Sequence, residues 1–150
     1  METSIVWFRN DLRVSCNPAL FHSSRSGKVL PVYIWDDTLP DQEGGASRWW
    51  LYESLLYLER SLMKLGCPLI CGRGKTKDLL LHYAKISTSH KIAINERTEP
   101  WARSFDRALS EEMLLAGLKI EIHPPDLLAN PEEMTGKNGP YRIFTESPHE

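Results

Sequence analysis

Five short apolar runs, separated by longer stretches of helical periodicity, constrain the fold of this chain more than any other feature. The strands that they predict are Ser4–Arg9, Lys28–Trp35, Cys67–Cys71, Lys91–Ile94 and Lys119–His123. Several of these runs are continuously apolar, which is typical of parallel strands covered on both faces. The alternation of strands and helices therefore predicts an α/β fold, a doubly wound five-stranded parallel sheet with helices on both faces.

The segments between the strands carry recognisable helix boundaries. A short helical turn is predicted after Asn17, its cap, with Pro18 at the first helical position. The clearest helix begins at Gly45 and stops at Gly66. Two more helices are predicted over Thr76–Ser87 and from Pro100 to Gly117. The apolar face predicted for the clearest helix comprises Trp49, Tyr52, Leu55, Leu56, Leu62 and Met63.

The length of 150 residues suits a single domain, which we expect to span residues 1–123. Residues 124–150 contain five prolines and are expected to form an extended strap or linker. No run is long and apolar enough for a membrane span, and no secretion signal is recognisable, which favours a cytoplasmic protein. A net charge of −2 provides no broad basic surface, so we expect no direct DNA binding by this chain alone.

Familiar catalytic and phosphate-binding motifs are missing. The stretch "CGRGKTKD" lacks the first glycine of a phosphate loop, because Leu69 stands at that position, and it lacks the third glycine of a dinucleotide fingerprint. The three cysteines form no CxxC pair, and the five histidines have no metal-ligand spacing. We therefore predict no catalytic residue and no metal site. At "CGRGKTKD" we predict a tight turn into a helix, with anion binding there as the alternative.

Polar clusters follow three of the predicted strands. In doubly wound sheets, ligands bind beyond the carboxyl ends of the strands, where the strand order reverses. Such clusters could fix the donors and acceptors of a polar heterocycle, although each cluster alone is also typical of an ordinary solvated loop. The clusters are Arg9-Asn10-Asp11, Asp36-Asp37 and Asn95-Glu96-Arg97.

Several longer motifs closely resemble DNA photolyases and cryptochromes. The opening "IVWFRNDLRVSCNPAL" is similar to the family's strand ending in W-F-R-x-D-L-R followed by an N-P-A-L segment. The resemblance continues through "VYIWDD", "GGASRWWLYESLLYLERSLMKLG", "INERTEPWARSFD" and "LLANPEEMTGKNGPYRIFT", and so covers Ile5 to Thr145. It implies the family's N-terminal, Rossmann-like α/β domain.

This resemblance also implies a cofactor. The family's α/β domain holds or borders a light-harvesting antenna chromophore, which is methenyltetrahydrofolate or a deazaflavin or flavin. A separate helical domain, in cis or in trans, binds the catalytic FAD and damaged DNA, and we expect FAD only there. Electron-transfer tryptophans also belong to that helical domain, so Trp49 and Trp50 receive no such role. Of these adjacent tryptophans, we expect one in the core and one on a partner surface.

Carried over residue by residue, the resemblance matches Asn95 and Glu96 to a folate-contacting Asn-Glu pair. It places other side chains on the rim where deazaflavin-type antennae sit. For two of them, Arg9 and Asp11, an internal ion pair is a strong alternative. The rim residues are Arg9, Asp11, Asp36, Asp37 and Arg48 at the start of the long helix.

The end of the chain departs from the family pattern. Where the family continues with P-F-W, this chain reads "TESPHE". The resemblance therefore implies a truncated photolyase-like antenna domain that is inactive in DNA repair by itself. A stand-alone, non-enzymatic interaction module and a cryptochrome-like photoreceptor fragment are the alternatives. A nucleotide-binding enzyme of another doubly wound family is disfavoured by the failed phosphate motifs.

Overall fold

A computed structural model describes residues 2–39, 45–124, 135–136 and 139–140. Five strands form its main sheet: β1 (Thr3–Phe8), β2 (Lys28–Trp35), β3 (Ile70–Arg73), β4 (Lys91–Asn95) and β5 (Lys119–His123). Four helices connect them: α1 (Pro18–Ser26), α2 (Gly45–Lys64), α3 (Thr76–Ser87) and α4 (Pro100–Leu115). Two further two-residue strands, β6 (Thr135–Gly136) and β7 (Gly139–Pro140), pair antiparallel.

The strand order of the main sheet is β3-β2-β1-β4-β5, and every neighbouring pair is parallel. The predicted doubly wound fold is thereby confirmed. The chain builds outward from β1 to β3, then returns to the other side of β1 to add β4 and β5. The order reverses between β1 and β4, and the crevice at that point is where such sheets bind ligands.

Each face of the sheet has its own apolar core. Ile5 and Trp7 of β1 point to the face covered by α3 and α4, where Leu80 and Met113 are fully buried. Val6 and Phe8 point to the opposite face, which α1 and α2 cover. Since side chains alternate along a strand, one continuously apolar strand supplies both cores.

The bounds of β1, β4 and α4 differ from the predicted ones by one or two residues, and β3 and α1 differ more. β3 begins at Ile70, because the N–H of Cys67 is donated to the carbonyl of Leu62 at the end of α2 and Pro68 has no N–H. α1 is a helix of nine residues, where only a turn was predicted. Its predicted cap is confirmed, since Asn17 Oδ1 accepts a hydrogen bond from the N–H of Leu20 at 3.1 Å.

The apolar face predicted for α2 is wrong in part. Trp49, Tyr52 and Met63 are 56%, 60% and 59% exposed, whereas Leu58 and Leu62 are fully buried against the sheet. The helix carries apolar residues on two sides, and periodicity alone does not identify the side that faces the sheet.

The two adjacent tryptophans both lie on the outside of α2. Trp49 and Trp50 are more than half exposed, and their rings meet edge to face with centroids 4.9 Å apart. The expectation that one of them lies in the core is therefore wrong. Among the described residues, no helix is both long and apolar enough to cross a membrane.

The predicted division at residue 123 stays a prediction. β5 does end at His123. Of residues 124–150, however, only 124, 135–136 and 139–140 are described, so most of the predicted strap lies outside the described residues.

Candidate ligand-binding site

A cavity of about 90 Å³ opens at the carboxyl ends of β1 and β2, next to the segment that follows β4. It borders the position between β1 and β4 at which the strand order reverses. Five aromatic and three charged residues line it. The lining residues are Trp7, Phe8, Arg9, Asn10, Tyr33, Ile34, Trp35, Asp36, Leu39, Leu51, Thr76, Arg97 and Trp101.

Guanidinium groups stack on several of the aromatic rings around this cavity. Arg97 lies over Trp101 at 5.2 Å, and Arg48 lies over Trp35 at 5.9 Å. Arg48 itself is exposed on α2 and reaches the cavity through the Trp35 ring. Cation–π contacts of this kind favour flat, rigid walls, which suit a planar ligand.

Asp36 fastens the end of β2 to the start of α3. One carboxylate oxygen accepts hydrogen bonds from the N–H and hydroxyl of Thr38, and the other accepts from the N–H and hydroxyl of Thr76 at 2.9 and 2.8 Å. Burial would raise the pKa of Asp36, but these hydrogen bonds outweigh it and lower the pKa below 3.8. A carboxylate therefore already occupies the amino end of α3.

The "CGRGKTKD" stretch forms the tight turn that was predicted. Gly74 has a φ of +147°, and α3 begins two residues later at Thr76. Gly72 is closely packed, because a Cβ added there would lie 2.2 Å from the hydroxyl of Tyr83. The glycines of this stretch thus serve chain geometry and packing.

Asp37 lies next to the cavity but is not part of its walls. Its carboxylate accepts hydrogen bonds from the Trp35 indole N–H at 2.6 Å and from Nε of Arg73 at 3.1 Å. These two bonds lower the pKa of Asp37. The carboxylate is exposed and fixes the orientation of the Trp35 ring.

Arg9 lies at the wall of the cavity, and its guanidinium is directed into the protein. Nη1 donates to Asp106 at 2.6 Å, and Nη2 donates to the backbone carbonyl of Asn95. The side chain is only 5% exposed, and burial, followed by the nearby charge of Arg97, lowers its pKa. Its main ion-pair partner is therefore Asp106, where the sequence suggested Asp11.

Asn95 and Asp11 form a buried hydrogen-bond network behind the cavity. The Asn95 amide donates to Asp11 and, at 2.8 Å, to Asn17, while its oxygen accepts from the N–H of Ala19 at 2.9 Å. Asp11 also accepts from the N–H of Arg9 at 2.9 Å. Both amide hydrogens of Asn95 are used within the chain. The ligand-binding role predicted for Asn95 and Asp11 stays a prediction, and it would require this hydrogen-bond network to open.

Glu96 lies apart from the cavity walls. It forms an ion pair with Arg103 at 3.0 Å, with 36% of its side chain exposed. Its N–H donates to the carbonyl of His123, which fixes the backbone at the end of β4. The structure thus brings Arg9 and Asp36 to one cavity, with Arg48 beside it, and leaves Glu96 outside. A folate contact by Glu96 stays a prediction.

The sequence reasoning missed Asp106 and Trp101, and it named Arg97 only as a member of the polar cluster after β4. Asp106 is buried and accepts from both Arg9 and Arg97 through one oxygen, at 2.6 and 2.7 Å. A single carboxylate on the core-facing side of amphipathic α4 is the signal that could have identified it. Arg97 and Trp101 lie in the cavity wall, and only their proximity to the end of β4 indicated this. No cluster of three or more metal-ligating side chains occurs in the described part of the chain.

A family model described as DNA photolyase matches residues 4–149. The chain is 36% identical over 143 residues to a deoxyribodipyrimidine photo-lyase of Agrobacterium fabrum, covering 94% of this chain and 30% of the relative. It is 34% identical over 150 residues to Cryptochrome-2 of Arabidopsis thaliana, covering 95% of this chain and 24% of that relative. The chain therefore spans about a quarter to a third of the length of these relatives.

The chain is also similar to solved structures of a photolyase and a cryptochrome. A bacterial class III photolyase from Agrobacterium tumefaciens superposes with a TM-score of 0.80 at 34% identity, covering 96% of this chain and 30% of that one. A cryptochrome of Synechocystis superposes with a TM-score of 0.79 at 25% identity, covering 89% of this chain and 29% of that one.

Proposed function

The chain belongs to the DNA photolyase family, and we propose that it is the antenna-binding α/β region of a light-dependent DNA repair protein or photoreceptor. One observation carries the proposal: the cavity at the carboxyl ends of β1 and β2, beside the strand-order reversal, which aromatic residues line together with Arg9 and Asp36. The sheet's geometry makes this the expected ligand position for its fold. The residues that line it have the chemistry that a flat heteroaromatic ring needs.

The volume of the cavity is too small to enclose a whole chromophore. Ligand pockets that enclose a whole drug-sized molecule have volumes of roughly 300–1,000 Å³. A cavity of about 90 Å³ suits one edge of a methenyltetrahydrofolate, deazaflavin or flavin ring, with the rest lying outside it. When bound, such a group absorbs blue light and passes the excitation to a flavin.

The side chains of the cavity would orient the ring. Trp35 and Trp101 offer aromatic surfaces, and Arg48 and Arg97 hold those surfaces in place by stacking. Asp36 keeps β2 and α3 together and so fixes the spacing of the walls. Repair or signalling by the whole protein would need the helical region that binds FAD, which we place outside these 150 residues.

Titration of the purified chain with methenyltetrahydrofolate, 8-hydroxy-5-deazariboflavin and FMN tests this proposal. We expect saturable binding of one of them, followed by chromophore fluorescence or absorbance. Trp101→Ala should weaken that binding by about 2- to 12-fold, since an aromatic contact contributes about 0.5–1.5 kcal/mol. Trp50→Ala is the matched control, because Trp50 is exposed on α2 and lies outside the cavity walls. Equal weakening by both variants, or no saturable binding, would contradict the proposal.

The outer face of α2 favours a second candidate function, an interaction module. Trp49, Trp50, Tyr52, Tyr57 and Met63 are all more than half exposed on one helix. Clustered exposed apolar side chains are typical of a docking site. We propose the helical, FAD-binding region as its occupant, in cis or in trans. Co-purification with that region of a photolyase relative, lost on Trp49→Ser, is the expected result; unchanged co-purification of that variant would refute it.

A further inference from the structure

Arg97 occupies an unusual position in the cavity wall. Its side chain is only 11% exposed, and its guanidinium lies 5.2 Å from the Trp101 ring and 5.9 Å from the Phe105 ring. Two aromatic side chains therefore hold it in place. A guanidinium fixed in this way presents its donors in a constant direction, as a recognition group requires.

The hydrogen-bonding capacity of Arg97 is largely unused. A guanidinium has five N–H donors. Among the described residues, the acceptor paired with Arg97 is Asp106, through Nη2 at 2.7 Å. Its buried Nε has no acceptor in the described part of the chain. A buried donor without an acceptor is costly, so a group that supplied one would gain affinity.

The ion pair of Arg97 is shared with a second cation. Arg9 and Arg97 both donate to one oxygen of Asp106, and the negative charge of Asp11 acts on Arg9 as well. The mutual repulsion of Arg9 and Arg97 contributes to the lowered pKa of Arg9, after burial. Asp36, the carboxylate in the cavity wall, has both oxygens engaged by threonines.

We infer that Arg97 is a specificity-determining residue of the cavity and selects aromatic heterocycles that present an anionic oxygen to its guanidinium. The inference rests on the proposed function, because it concerns the same cavity. A ring oxyanion and a side-chain phosphate both supply this chemistry. Asp106 acts behind Arg97 as a positioning residue, since it holds the guanidinium without lining the cavity.

Two matched ligand pairs test the inference with the full chain. FMN against riboflavin isolates the phosphate, and 8-hydroxy-5-deazariboflavin against 5-deazariboflavin isolates the ring oxygen. We expect the wild type to prefer the anionic member of one pair by about 10- to 100-fold, as a charge-assisted hydrogen bond would provide. Arg97→Gln should reduce that preference to near unity, and Arg97→Lys should retain part of it.

Arg103→Gln is the control, because Arg103 lies on α4, pairs with Glu96 and does not line the cavity. It should leave the preference unchanged, and thermal unfolding will show whether Arg97→Gln remains folded. Chromophore binding with no preference in either pair, or a preference that survives Arg97→Gln, would overturn the inference while leaving the proposed function intact. If no chromophore bound the wild type, both would fail. Should Arg97→Gln not fold, a reduced preference in Arg97→Lys would support the inference, and an undiminished preference would overturn it.

Discussion

Replacing Asn95 by alanine should strongly destabilise the fold. Asn95 is only 3% exposed, and the substitution removes three of its side-chain hydrogen bonds: to Asp11, to Asn17 and from the N–H of Ala19. The bond to a charged carboxylate contributes about 1.5–3 kcal/mol, and each neutral bond about 0.5–1.5 kcal/mol. Allowing for partial relaxation, we expect Asn95→Ala to lower the free energy of unfolding by about 3–5 kcal/mol.

Urea unfolding followed by tryptophan fluorescence and circular dichroism measures this loss. A loss of that size is a large share of the roughly 5–15 kcal/mol that stabilise an ordinary domain. Glu96→Ala is the matched control, since it removes a half-exposed ion pair with Arg103 and should cost less than about 1 kcal/mol. If Asn95→Ala were as mild as Glu96→Ala, the network would not stabilise the fold, and the ligand role predicted for Asn95 would regain support.

Three further predictions concern other parts of the chain. Although burial opposes it, hydrogen bonds lower the pKa of Asp36 below 3.8. The stability that its carboxylate contributes is therefore complete above that pH and is lost below it, and Asp36→Asn should reduce the fall of the free energy of unfolding at acid pH. Burial lowers the pKa of His123 below 6.5, so stability should fall as pH drops through that value, and His123→Gln should remove this slope in a pH series of urea midpoints. Gly72→Ala should cost about 1–3 kcal/mol by clashing with the Tyr83 hydroxyl, and adding Tyr83→Phe should restore part of it in the same assay; an additive double variant would contradict the clash.

Local sequence patterns predicted most of the elements of this fold. The bounds of β2, α3 and β5 agree with the predicted segments, because apolar runs and helix-favouring residues act over a few neighbours. Asn17 was identified as a helix cap for the same reason, since its partner lies three residues away.

The local sequence pattern did not predict which side of α2 is buried, because two sides were equally compatible with it. The α2 sequence has apolar side chains on two sides, and burial of Leu58 and Leu62 was decided by contact with the sheet. Exposure of Trp49 follows from that choice, although its residue type favours burial.

The sequence alone determined the alternation of strands and helices and placed polar residues at the strand ends. Tertiary structure alone decided which of those residues face the cavity and which form hydrogen bonds and ion pairs inside the protein. Arg9 pairs with Asp106 across 97 positions, and Asn95 with Asp11 across 84. Such pairs depend on which strands become neighbours in the sheet, and no short-range pattern records that choice.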